Sequence, residues 1–263
     1  MSIKVPVTVL IIAKNEEKKI EDCLKSVYPW AEEILVLDDM STDATAEIAR
    51  RYGAKVIQRA MDYEGRHRNF GAEKASQPWI LSLDADERAT PELARDIAAV
   101  LPANPGGHVC YSIPLRNYLG DLWLKGAGYY PAAKSKLYKR GEYTYDETAR
   151  VHPRVFYKGS SGRFKGEIIH LSFENMEHWL RKFNRETSLE AEKWVRDSRK
   201  VKLFTILRKS IDRFLKNYLF KKGWSMGFYG FLMSLFHGLY QLVAYAKFLE
   251  MKRKPAAQEL KPI

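Results

Sequence analysis

The feature that most restricts this chain is Trp79-Ile80-Leu81-Ser82-Leu83-Asp84-Ala85-Asp86-Glu87, an apolar run that stops abruptly at two carboxylates one residue apart. Its length and composition suit a buried parallel strand. Aspartate is a poor strand residue, so the strand should end where the acids begin. Asp84 and Asp86 then lie at the carboxyl end of a strand, where open α/β sheets bind their ligands. Adjacent carboxylates repel, and an Mg²⁺ or Mn²⁺ ion bridging to phosphate oxygens is the usual relief. Taken alone, such acids would more often belong to a loop that caps the helix begun by Thr90-Pro91-Glu92. The other strands of the chain decide between the two readings.

Val7 to Ile12 is a β-branched run ending at Ala13-Lys14-Asn15-Glu16-Glu17. It reads as a first strand, being too short for a leader sequence. Asn15 suits an N-cap and the glutamates a first helical turn, for a helix over Lys18 to Val27 with apolar residues at 20, 24 and 27. Ile34 to Leu37 is a second buried strand, running into Asp38-Asp39-Met40-Ser41-Thr42-Asp43, with Ala44 to Tyr52 helical and Gly53 as its stop. Lys55 to Ile57 is a short third strand. The basic Gly65-Arg66-His67-Arg68 opens another helix before the Trp79 strand. Such alternation with short loops is a doubly wound, mostly parallel sheet. Right-handed crossovers gather Asn15, Asp39, Asp84 and Asp86 along one edge, and that convergence marks a site.

No glycine-rich dinucleotide cradle follows the first strand and no P-loop occurs, so the acids sit where those folds place glycines. Carboxylates after the second strand can accept from a base or a ribose hydroxyl. Those after the fourth can hold a metal under a diphosphate, with Arg66 and Arg68 neutralising further phosphate charge.

The segments Val7-Thr-Val-Leu-Ile-Ile-Ala-Lys-Asn-Glu-Glu17, Leu37-Asp-Asp-Met-Ser-Thr-Asp43 and Leu81-Ser-Leu-Asp-Ala-Asp-Glu87, in this order, resemble the family 2 glycosyltransferases of GT-A fold. Within that family they resemble the bacterial lipopolysaccharide core branch. The resemblance covers residues 1–175. It implies inverting transfer of a sugar from a nucleotide-sugar donor, with Mg²⁺ or Mn²⁺ at Asp84 and Asp86. It also implies nucleoside contacts from Asp39 and the Ala13, Asn15 and Glu16 turn, and an added metal or diphosphate contact from His170. Two departures stand out. Met40 replaces the glycine or serine of many relatives, and His152-Pro153 stands where the core branch commonly has His-Glu.

Inverting transfer needs a base to take the acceptor hydroxyl's proton. Asp146 and Glu147 are the nearest carboxylates in this half of the chain, Asp146 ranking first, and solvated turn residues are the alternative reading of both. The aromatic, glycine-rich stretch from Tyr118 to Tyr130 could present flat faces to sugar rings or pack a loop. Lys134 to Arg140 reads as an edge strand.

Residues 176–263 read as a helical C-terminal region. From Val195 onward fifteen Lys or Arg face four Asp or Glu, so this end carries eleven of the net charge of +12 and the preceding domain is near neutral. Leu203, Leu207, Ile211, Phe214/Leu215 and Tyr218 form an apolar stripe flanked by Arg208, Lys209, Arg213 and Lys216, the pattern of a helix lying in an anionic membrane surface. Trp224 to Ala246 carries no formal charge, but Lys221-Lys222 before it and Lys252-Arg253-Lys254 after it oppose a single span. An interfacial or shallow re-entrant helical pair, or a helix buried in a homo-oligomer contact, is favoured, with a true span as the alternative. The uncharged block argues against nucleic acid as the partner of the basic tail. The expected setting is the cytoplasmic face of a bacterial inner membrane, with a lipid-linked saccharide as acceptor. A sugar nucleotidyltransferase and a non-enzymatic membrane scaffold are the rival readings. The first lacks its usual glycine- and arginine-rich loop after strand one. The two cysteines, without CxxC spacing, suit a reducing compartment.

Overall fold

A computed structural model describes residues 4–148 and 153–253, and divides the chain into two units. The first comprises Met1–Arg116 and Pro131–Leu171, the second Asn117–Tyr130 and Ser172–Ile263.

The first unit begins with the expected alternation: β1 (Val5–Ala13), α1 (Ile20–Val27), β2 (Ala31–Asp38), α2 (Thr45–Arg51), β3 (Lys55–Gln58), α3 (Glu64–Lys74), β4 (Trp79–Asp84), β5 (Glu87–Ala89) and α4 (Pro91–Val100). In chain order β6 (Cys110–Ile113), β7 (Leu115–Leu119), β8 (Leu122–Trp123), β9 (Lys134–Lys139), β10 (Tyr143–Tyr145), β11 (Val155–Tyr157), β12 (Ser161–Arg163) and β13 (Ile168–Phe173) follow, of which β8 and the last residues of β7 and β13 belong to the second unit. The main sheet has the order β12-β6-β9-β4-β1-β2-β3. β1 pairs in parallel with β2 and β4, β2 with β3 and β12 with β6, whereas β9 runs antiparallel between β4 and β6. Lys134 to Lys139 is therefore an interior strand, not an edge. Its Leu137 and Tyr138 are fully buried between neighbours, which offsets the lysines that suggested an edge.

Period-two alternation gives the sheet two apolar faces. Val7, Val9 and Ile11 share a core with Ile20, Leu24, Ile48 and Leu93 of α1, α2 and α4. Leu10, Leu35 and Leu37 face the other way, toward Phe70 and Ala72 of α3. Gly71 permits this second contact, because a Cβ there would lie 2.6 Å from Leu10 Cδ1 and 2.7 Å from Leu37 Cδ1. Thr90 caps α4, its hydroxyl accepting from Leu93 N at 3.2 Å, and Gly53 closes the α2 turn at φ +71°.

The second unit holds the Leu119–Leu122 hairpin and the helices α5 (Met176–Arg196), α6 (Leu203–Leu215) and α7 (Gly227–Arg253). A π-helical turn, Lys216–Phe220, and a 3₁₀ turn, Gly223–Met226, link α6 to α7. Asn175 caps α5 by accepting from His178 N. Phe236 meets Trp179 and Phe183 edge-on, at 4.9 and 5.1 Å, and ties α7 to α5. Tyr129 packs here too, its hydroxyl accepting from Trp179 Nε1 at 3.0 Å and its ring against Phe173. That ring is committed to packing. Among the described residues, no helix is long and apolar enough to cross a membrane.

His237 of α7 lies beside the Tyr129 ring with its Nε2 buried and unpartnered. Burial, then Lys221 and Arg213, push its pKa down to about 4, with Glu186 opposing them weakly. The neutral ring is thus the folded form. Its contribution to stability is complete above pH 6.5 and is lost as pH falls toward 4, because only the unfolded chain takes up the proton in that window. We expect a loss of about 2 kcal/mol between pH 7 and pH 4.5, read by urea unfolding at the two values. His237→Phe should lack this component; an equal loss in both proteins would refute it.

Candidate active site

Parallel register places the strand tips together. Ile12 pairs with Asp84 and Ala13 with Asp38, so the loops after β1, β2 and β4 leave the sheet at one edge. Asp39 N donates to Ala13 O at 2.8 Å. Asn15 is not a helix cap. It sits at φ +53°, accepts from Thr42 N through Oδ1 at 2.9 Å and donates its own N–H to Ser41 Oγ, clipping the first loop to the second. The helix begins only at Ile20, after a turn in which Glu16 N donates to Thr45 Oγ1 and the Glu16 carboxylate pairs with Lys19. Met40 also adopts φ +53°, the left-handed conformation glycine takes most easily.

The paired aspartates of the second loop have separate tasks. Asp38 is fully buried and accepts from Ser41 N and Gln58 Nε2, so it holds the loop. Asp39 pairs with Lys14 Nζ at 3.0 Å and accepts from Met61 N at 2.8 Å. A carboxylate has lone pairs beyond those two bonds, so Asp39 can still accept from a hydroxyl or base.

Asp84 and Asp86 also diverge. Asp84 stands in an alternating row of charges. Arg68 Nη2 lies 2.6 Å from its Oδ1 and 2.9 Å from Glu64, while Lys136 Nζ lies 3.4 Å from its Oδ2 and 2.7 Å from Glu87. Arg68 also donates to Ser82 Oγ, and Asp84 N donates to Glu87. Burial acts to raise the Asp84 carboxyl, but Arg68 and Lys136 outweigh it and hold it well below the usual carboxylate range. Burial acts to lower both cations, and Asp84 with its neighbouring acids reverses that and raises them. Both bases are therefore committed to this row of acids, Arg68 between Glu64 and Asp84 and Lys136 between Asp84 and Glu87. Arg66 lies elsewhere, exposed, against Asp62 and Glu147.

Asp86 faces His170 instead, Oδ2 to Nε2 at 3.5 Å, with both side chains partly exposed. β13 delivers the histidine by pairing His170 with Glu87 of β5, and Leu171 N donates to Asp86 O at 3.0 Å. Among the described residues no group of three His, Cys, Asp or Glu side chains could hold an ion alone. A carboxylate and an imidazole at this spacing do fit two places on a six-coordinate ion, the rest falling to phosphate and water as Mg²⁺ prefers. Asp84, held by two cations, is the poorer ligand of the pair.

Asp146 and Glu147 reach this unit through α3. A Cβ on Gly65 would meet Asp146 O at 2.0 Å, so only glycine lets that backbone approach. Asn69 fixes the segment, its Oδ1 accepting from Tyr145 N and its Nδ2 donating to Tyr145 O and to Glu147 Oε1 at 2.9 Å. Asp146 Oδ1 accepts from Thr148 Oγ1 and N, and those bonds lower its pKa. His152 lies outside the described residues.

Glu87, Lys136, Asn69 and Gly65 were not singled out from the sequence. Lys134 and Lys136 share one face of β9 by their spacing of two, which was the available signal for Lys136.

The sequence profile of glycosyl transferase family 2 matches residues 8–164. Over 266 residues the chain is 27% identical to the lipopolysaccharide core biosynthesis glycosyltransferase LpsC of Rhizobium meliloti, covering 96% of each. It is 29% identical to an uncharacterized glycosyltransferase of Rickettsia typhi, covering 94% of this chain and 88% of that one. Among solved structures, S. aureus TarS in complex with UDP aligns with 55% of this chain and 51% of its own, at 21% identity and a TM-score of 0.45. With the profile spanning all three strand-tip segments and a mixed α/β sheet of GT-A type beneath them, the chain belongs to glycosyl transferase family 2 and is a transferase.

Proposed function

We propose that this chain is an inverting glycosyltransferase that moves a sugar from a nucleotide-sugar donor to a lipid-linked saccharide of lipopolysaccharide-core type, at the cytoplasmic face of a bacterial inner membrane. The observation that carries the reading is the Asp86–His170 pair, 3.5 Å apart, beside the tip of β4. Near-full-length similarity to LpsC supports the core acceptor. Asp39 and the Ala13 to Glu16 turn would receive the nucleoside. A divalent cation bound at Asp86 and His170, Mg²⁺ or Mn²⁺, would supply positive charge opposite the departing diphosphate. Arg68 and Lys136 keep Asp84 ionised beside it, and Lys134, exposed on the same face of β9, can meet a phosphate oxygen.

For the base, two observations favour Glu147 over Asp146. Asp146 is depressed by the Thr148 bonds, which makes it the weaker proton acceptor, whereas Glu147 is exposed and aimed by Asn69. Glu147→Gln is expected to lower kcat by about 10²-fold or more, and Asp146→Asn by less than about tenfold. The reverse ranking would move the base to Asp146.

The reading is tested by supplying a panel of nucleotide sugars with Mn²⁺ or Mg²⁺ and measuring nucleoside diphosphate release with and without lipopolysaccharide-core acceptor. Release with one donor, stimulated by acceptor, is expected. No release from any donor by folded protein would overturn it.

A further inference from the structure

We propose that the outer face of α6, continued through the turns into the start of α7, is a docking surface for an anionic lipid bilayer, entered by side chains and not by a spanning helix.

α6 has one buried face and one exposed apolar face. Ile206 and Ser210 are buried on one side, where the helix meets α7 so closely that a Cβ on Gly238 would lie 2.8 Å from Ser210 O. The other side carries Phe204, Leu207, Ile211 and Leu215, at helical spacing, and all four are exposed, Phe204 by 78%. A helix packs into its own fold by turning its apolar stripe inward. Here the apolar row faces water.

The exposed row does not end with the helix. Phe220 is 82% exposed, and Trp224 and Phe228 follow it in the open. Phe231 of α7, also exposed, makes T-shaped contacts with Phe214 of α6 at 6.0 Å and with Tyr218 of the π-helical turn at 5.9 Å. Large apolar side chains left exposed in this number mark an interaction surface, and Trp and Phe on elements rich in lysine are the composition of a membrane-interface element.

Charge selects the occupant. Between residues 198 and 249 the chain has ten Lys or Arg and a single acid, Asp212. Lys202, Arg208, Lys216, Lys221 and Lys222 are exposed on these same elements. An anionic leaflet attracts such a rim within a Debye length. A second copy of the chain would bring like-charged rims together across a two-fold contact, which opposes self-association. No described helix is long and apolar enough to cross, so the patch enters the headgroup boundary and stops there.

This inference deepens the reading above by naming the surface that meets the membrane. Its failure is separable from that reading, because vesicle binding is measured without turnover and is expected unchanged in inactive Asp86→Ala protein. The test is flotation of the full chain with vesicles of phosphatidylcholine alone and with one-third phosphatidylglycerol. Binding at least tenfold tighter to the anionic vesicles is expected, weakened by salt, with a blue shift of tryptophan emission that Trp224→Phe removes. Phe204→Asp with Ile211→Asp should cut binding at least tenfold while circular dichroism is unchanged. These positions are exposed, so the fold tolerates them; Phe220→Asp with Phe228→Asp is the second pair should the first fail to fold. Equal binding to both vesicles, no binding to either, or a concentration-dependent dimer that hides Trp224 would each overturn the proposal.

Discussion

Asp86→Ala is expected to lower kcat/KM by about 10³-fold, the order seen when one charge-stabilising group is taken from a transfer site, while the protein stays folded. The separation of the two effects follows from the surroundings of Asp86. Its side chain is partly exposed and faces a histidine at 3.5 Å. A contact as long as 3.5 Å is weak, so losing it costs on the order of 1 kcal/mol, which in a chain of this size moves Tm by roughly 2–4 °C. Asp84→Ala would be a poor substitute. Arg68 and Lys136, each under a tenth exposed, would lose the carboxylate between them, and inactivity could then reflect a damaged edge of the sheet. Kinetics and thermal melting of the two alanine variants side by side make the check. Turnover by Asp86→Ala within tenfold of wild type would remove Asp86 from the reaction.

That contrast was not legible in the sequence, where Asp84 and Asp86 are two acids of one motif. Residue order shows that both sit at a strand tip, and parallel pairing confirms it through the Ile12–Asp84 register. What separates them is supplied from afar: Arg68 from α3 and Lys136 from β9 turn toward Asp84, while His170 arrives on β13. Long-range partners leave no local pattern.

The same physics explains the other departures. Alternating lysines in Lys134 to Lys139 look like an exposed edge, yet a lysine can be buried when carboxylates meet it, and Glu87 and Asp84 do so for Lys136. Asn15 resembles an N-cap because asparagine serves either in a cap or in a left-handed turn, and only the geometry shows that it bonds to the Ser41–Thr42 loop. Nothing local in the sequence marks Gly65 and Gly71, although each admits a backbone or side chain that a methyl group would block. The helical stripe from Leu203 to Tyr218 was legible as a pattern. Its exposure was not, since periodicity alone fits a helix docked in its own fold as well as one left open to solvent.

The second large expectation concerns Lys136→Met, which should cost about 3–5 kcal/mol of stability, the usual result of removing one partner from a buried ion pair. Met matches the stem of the lysine and fills its space, so the loss falls on charge. Glu87 has 1% of its side chain exposed and keeps its position by accepting from Lys136 at 2.7 Å and from Asp84 N at 3.0 Å. Without the ammonium it is a nearly buried carboxylate with no cation on that side. The pH dependence identifies the cause. Lys136 is raised above its ordinary value in the fold, so its contribution is present below pH 10.5 and is lost as pH rises beyond that. Asp84 is depressed, so the contribution it shares with Lys136 is present above about pH 4, its unfolded value, and is lost as pH falls below it. The stability gap between wild type and Lys136→Met should therefore be widest between those limits and narrow on both sides. Adding Glu87→Gln to Lys136→Met should recover part of the loss, because the uncompensated charge is gone. Urea unfolding of the three proteins across that range supplies the measurement. A gap below 1 kcal/mol that does not change with pH would show that the charge row beside Asp84 contributes nothing to holding the site.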